Sequence, residues 1–101
     1  MTHAYSGTLR AKPGNRDKVV EILTRPASAM AEAGCLLYEV GVGDDADVIH
    51  VIELWESAEA HAAALQLDSV RAAIAEAMPM LTPDMSGVGF EVSGSPLRHG
   101  N

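Results

Sequence analysis

The sequence predicts an α+β fold in the order strand–helix–strand–strand–helix–strand. Three observations predict it. Residues 48–54 are rich in β-branched and apolar side chains, as a strand requires, and an alanine-rich segment follows Ser57. Two polar stretches, Lys12-Pro13-Gly14 and Asp44-Asp45-Ala46-Asp47, separate apolar runs where turns belong. Between them Val19, Leu23, Pro26 and Met30 recur at helical spacing. The resulting order is the ferredoxin-like βαββαβ pattern with a four-stranded antiparallel sheet.

Taken in order, residues 3–11 read as the first strand, ended by the Lys12-Pro13-Gly14 turn. A helix is expected over 15–33, with Gly34 as its stop. Pro26 removes one internal hydrogen bond, so the helix should kink or split near Thr24. Residues 36–43 read as the second strand, 44–47 as a hairpin connection and 48–56 as the third strand. The second helical region runs from Ser57, whose hydroxyl suits a cap, towards Met80. It should break at Leu67-Asp68-Ser69, with Asp68 capping a new helix whose buried stripe is Val70, Ile74, Met78 and Leu81. Pro79 and Pro83 should end it and open a loop. The fourth strand is expected over 85–93, weakened by Gly87 and Gly89. Residues 1–93 then form one domain, and 94–101 a flexible C-terminal tail.

A four-residue hairpin connection sets a register. Gly43 falls opposite Val48, Tyr38 opposite Glu53 and Leu36 opposite Trp55, unless a one-residue bulge intervenes. Tyr38, Val40, Val42, Val51, Glu53 and Trp55 then share one face, and Leu37, His50, Ile52 and Leu54 the other. Two helices on one side cover only one face. The second is too apolar to leave in water, so a homodimer through the sheet face is expected.

Composition narrows the function classes. With 101 residues, 48% of them apolar, the chain is long enough for one modest core. A formal charge of −7 argues against nucleic acid and against anionic membrane surfaces. No segment approaches the roughly 20 apolar residues of a membrane span, and the first residues carry no export-signal pattern. Cys35 is the single cysteine, so neither an intrachain disulfide nor a cysteine-rich metal site can form. A reducing cytoplasm is the expected setting. His3, His50 and His99 lack ligand-like spacing, and no metal site is expected.

The strand-to-helix junction carries the chemistry. Period two places Glu53 and Trp55 on one face, and His61 falls on the first turn of the helix, in phase with Ala58 and Leu65. His61 suits a general base, because an ordinary imidazole titrates near ~6.5; its alternative is a helix-facing histidine satisfied by one hydrogen bond. Trp55 can stack on an aromatic ligand and donate its indole N–H, or simply fill the core. Glu53 can orient His61 or accept a proton, or be held by a hydrogen bond from Tyr38 across the strands. Met78 and Met85, with Met30 and Met80, can line an adaptable apolar wall or pack as core. The expected roles are catalytic for His61 and Trp55, and substrate-binding for Tyr38, Glu53, Met78 and Met85.

Lys12-Pro13-Gly14-Asn15-Arg16, the run Ala33-Gly34-Cys35-Leu36-Leu37-Tyr38-Glu39-Val40, and the run from Glu53 through Trp55 to His61 resemble the antibiotic biosynthesis monooxygenase family. The resemblance covers roughly 5–92 and implies a dimeric α+β barrel, in which two ferredoxin-like subunits pack sheet to sheet. It also implies oxygenation of phenols or quinols without flavin, haem or metal, hence no cofactor. In the polyketide-oxidising members a catalytic tryptophan matches Trp55, while an asparagine position is Val51 here and a tyrosine position is His61. In the haem-degrading members the iron-binding histidine position corresponds to Leu65. The expected function is a cofactor-independent monooxygenase acting on a phenolic or quinol-type aromatic with O2. The alternative is a non-catalytic homodimer that binds a small apolar or aromatic ligand.

Overall fold

The computed structural model describes residues 1–98. Its elements are β1 (His3–Ala11), α1 (Arg16–Leu23), α2 (Ser28–Glu32), β2 (Cys35–Val42), β3 (Val48–Trp55), α3 (Ala58–Ala64), α4 (Asp68–Ala77), a 3₁₀ turn (Met78–Met80) and β4 (Leu81–Glu91). The strands form one antiparallel sheet in the order β2-β3-β1-β4, the ferredoxin-like arrangement. Part of the expected tail, and His99 with it, lies outside the described residues.

Pro26 divides the first helical region as its missing N–H requires. α1 closes at Thr24, whose backbone N–H and hydroxyl both donate to the Val20 carbonyl, and the helix resumes only at Ser28. The buried positions of α1 are Val19 and Ile22, while Pro26 is exposed and drops out of the expected stripe. Val19 meets Ala11 and Ile49 in the main core, with Leu9, Val20, Leu23, Val40, Met80 and Leu81 packed around them. Gly34 stops α2 at a φ of 109°, a backbone conformation that favours glycine.

β2 and β3 pair with Tyr38 opposite Glu53, as the hairpin length predicts. Beyond Leu37 the register shifts. Cys35, not Leu36, stands opposite Trp55, and Leu36 is the extra, exposed residue of a bulge. The hairpin is tied to its neighbours by Arg10, which bonds Asp45 and Asp84 at 3.0 Å each.

Two expectations near the C-terminus need correction. β4 begins at Leu81, four residues early, and runs through Pro83. It is an edge strand, so proline's missing N–H need not leave a ladder bond unmade. Leu67, not Asp68, occupies the N-cap of α4, and Ile74 and Met78 are exposed rather than buried. α4 packs on α1 and on the 3₁₀ turn, which turns Ala77 inward instead. Arg25 holds the two helices together by bonding both oxygens of Glu76, at 2.8 and 3.0 Å.

The helices cover one face of the sheet. On the other, Leu37, Ile52, Val88 and Phe90 are exposed, and Ile52 and Val88 line a hollow of about 610 Å³ together with Thr8, Glu39, His50 and Ser86.

Candidate active site

The helix-side face of the sheet brings chemistry-bearing residues into two adjacent rows. His3 pairs with Trp55 in one, and Tyr5, Glu53 and Tyr38 line up in the next. α3 lies over these rows. Its start is set by Ser57, whose hydroxyl accepts the Ala60 N–H at 3.0 Å, a cap worth ~1 kcal/mol. The helix turns His61 and Ala64 towards the sheet, while Ala58 and Leu65 are exposed, contrary to their expected phase.

His61 is the hub. Its ring stacks on Trp55 at a centroid distance of 5.0 Å and lies 5.6 Å from both His3 and Tyr5. Its Nε2 stands 3.6 Å from Glu53 Oε1, too far for a strong hydrogen bond. That oxygen already accepts the Trp55 indole N–H at 2.9 Å. Trp55 is 2% exposed and Glu53 7%, whereas the His61 side chain keeps 18% of its surface in contact with solvent. Trp55 and Glu53 are closed off, while His61, His3 and Tyr5 are each partly exposed.

Burial sets the electrostatics. It raises the Glu53 pKa, and the Trp55 N–H and the charge of His3 only partly oppose it. It lowers the His61 pKa, with His3 pushing the same way. Both shifts act against charge, which leaves the imidazole able to accept a proton. The Tyr38 phenol is pushed up to about 12 by burial and, secondarily, by Glu53, Cys35 and Tyr5. It therefore stays protonated and able to donate at neutral pH.

Of the residues expected here, the fold gathers Trp55, Glu53 and His61, and places Tyr38 beside Glu53 in the register. The expected Tyr38–Glu53 hydrogen bond is replaced by the one from Trp55, since side chains two apart on a strand face the same way. Met78 and Met85 lie elsewhere. With Leu81, Thr82 and Pro83 they line a separate hollow of about 330 Å³. Met85 pairs with Leu9, six residues along β1 from His3, or ~20 Å of strand.

His3 and Tyr5 are the members that sequence reasoning missed. Their alternation puts them on one face of β1, but only pairing with β3 shows which face. The two glycines of β4 carry a second signal. A Cβ on Gly89 would stand 3.0 Å from the His3 ring, and one on Gly87 would collide with the Tyr5 phenol. The glycines that weaken β4 as a strand make room for the two rings. Among the described residues, no three His, Cys, Asp or Glu side chains are grouped to hold a metal ion.

Residues 4–76 match the antibiotic biosynthesis monooxygenase family model. The chain belongs to that family. A structure assigned to the same family from Chloroflexus aurantiacus is 37% identical, with 94% of this chain and 97% of that one covered at a TM-score of 0.79. One from Deinococcus radiodurans is 25% identical over 99% and 100% of the two chains, at a TM-score of 0.77. SnoaB, a cofactor-independent oxygenase from Streptomyces nogalater, is 13% identical over 96% and 98%, at 0.78, a likeness of fold. No curated protein matches this chain. Among the described residues, no helix is long and apolar enough to cross a membrane.

Proposed function

We propose that this chain is a cofactor-independent monooxygenase that oxidises a phenolic or quinol-type aromatic with O2. One observation carries the reading: a partly exposed imidazole closes a buried acid–indole pair on the fold of an oxygenase family. His61 takes the phenolic proton, since its lowered pKa leaves the imidazole unprotonated and ready to accept one. Tyr38 donates to the substrate oxygen as negative charge grows there. Glu53 orients His61, and Trp55 holds Glu53 and backs the imidazole with its ring.

The electrons come from the substrate anion itself. Deprotonated, an electron-rich phenol with a ring C–H para to its oxygen passes one electron to O2. The two radicals join at that carbon, and the protonated His61 returns its proton to the peroxide. Loss of water then leaves a second carbonyl, so the phenolic O–H and the para C–H plus O2 become two C=O groups plus H₂O. The protein supplies a base, a donor and a dry surround.

The same sheet supports a homodimer, in which a second copy covers Leu37, Ile52, Val88 and Phe90. The lone Cys35 suits a reducing cytoplasm. A non-catalytic binding homodimer is the second reading, favoured by the near-complete closure of Trp55 and the engagement of its N–H. Oxygen uptake by chelated, colourless protein with a panel of quinols and anthrones separates the two. The enzyme reading expects O2 consumption matched to carbonyl product. Ligand binding without O2 uptake supports the binding module. Turnover that requires added iron or flavin rejects the mechanism.

A further inference from the structure

The reading above uses His61, Glu53, Trp55 and Tyr38 and leaves His3 without a task. His3 is the first residue of β1, paired across the sheet with Trp55 on one side and Glu91 on the other. Its ring is tilted 32° to that of His61 at 5.6 Å. The seat is specific, because a Cβ on Gly89 would stand 3.0 Å from its Cε1 and Nε2. That is closer than real Cβ contacts normally come, so a side chain there would shift the imidazole.

We propose that His3 is a positioning residue of the site, held beside His61 by the Gly89 gap, and that it keeps His61 in its neutral, proton-accepting form. The proposal rests on the reading of His61 as the base. The physics is repulsion between two cations in a partly desolvated space. A proton on His3 makes a second proton on His61 less favourable, and by the same token favours the Glu53 anion. At His61 this effect adds to that of burial, and at Glu53 it opposes burial without overcoming it. The groups facing His61 are Glu53 and Trp55 from β3 and His3 and Tyr5 from β1, with Tyr38 and Cys35 of β2 around Glu53 and Glu91 of β4 beside His3 in register. Among these, the other titratable groups are acids, phenols and a thiol, so His3 is the one that can add positive charge.

The test is the titration of His61 by NMR in the intact protein, its signal assigned by its loss in His61→Ala. In His3→Gln the His61 midpoint should move up, because a like charge is removed. Gly89→Ala, which keeps both imidazoles but displaces one, should move it the same way by less. If turnover of a quinol is found, the acid limb of its kcat/KM profile should rise with the midpoint, with KM little changed. The rate loss at neutral pH should fall below the ~10²-fold minimum for losing the base itself. An unmoved His61 midpoint in folded His3→Gln and Gly89→Ala overturns the proposal. A shifted midpoint without quinol turnover in the unmodified protein keeps the coupling between the histidines and rejects the monooxygenase reading instead.

Discussion

The Trp55 indole N–H donates to Glu53 Oε1 at 2.9 Å, two residues back along the same strand and at a depth where neither side chain meets much water. This bond makes the acid tolerable in the interior, and it also decides what the tryptophan can do. A donor spent on Glu53 is not free for a substrate oxygen, so Trp55 acts through the carboxylate and through its stacked face. On the proposed reading, His61 and Tyr38 are left to meet the substrate.

Replacing Trp55 by Phe keeps an aromatic plate under His61 and removes the donor. Glu53 then loses its hydrogen bond while still buried, a loss that costs ~1–3 kcal/mol. Urea denaturation should show that drop, and the Glu53 carboxyl should titrate higher still in ¹³C NMR. Unchanged stability and an unmoved carboxyl would mean that the bond does not persist in solution.

His61→Ala should cut turnover of an accepted quinol by ~10²–10⁴-fold and leave ligand affinity mostly intact, since the proton moves only in the reactive step. Steady-state kinetics beside calorimetric binding reads both quantities. A folded variant as fast as the unmodified chain would remove His61 from the role of base.

Glu53 and His61 give stability opposite dependences on pH. The folded-state pKa of Glu53 is raised, so its contribution is complete below the unfolded value and is lost as pH rises through the folded one. That of His61 is lowered, so its contribution is present above the unfolded value and is lost as pH falls through the folded one. Glu53→Gln retains an acceptor for the Trp55 N–H and cannot ionise. Relative to the unmodified chain, this variant should therefore gain stability between pH ~4 and ~8, measured by urea midpoints at the two ends. A constant difference would show that Glu53 is not shifted.

A charge placed on the open sheet face should separate the proposed dimer. Leu54→Glu puts a carboxylate in the row of Leu37, Ala4 and Phe90, where burial without a partner costs several kcal/mol, on the order of ~3–5. Sedimentation velocity should give a dimer for the unmodified chain and a monomer for the variant. A monomer in both cases at micromolar concentration rejects the sheet-face dimer.

Much of the site was legible because its decisive contacts are short-range. Glu53, Trp55, Ser57 and His61 lie within nine residues, and the strand period and the serine cap between them set which way each one points. The contribution of β1 was not legible in the same way. His3 is remote in sequence from Trp55, and its place follows from a pairing across the sheet that the local pattern leaves open. That Met78 and Met85 line a separate hollow was not legible either, for the related reason that an apolar residue shows that it packs, but not against what.

The sequence by itself determined the element order, the division of the first helical region at Pro26, the Ser57 cap and the Tyr38–Glu53 register, because each depends on covalent geometry or on a hairpin of a few residues. Only the tertiary structure decided the Leu36 bulge, the outward turn of Ile74 and Met78, and the meeting of His3 and Tyr5 with His61. Those features depend on which surfaces are covered when remote segments pack. That choice is made by close packing among many partners at once, and it leaves no period in any one segment.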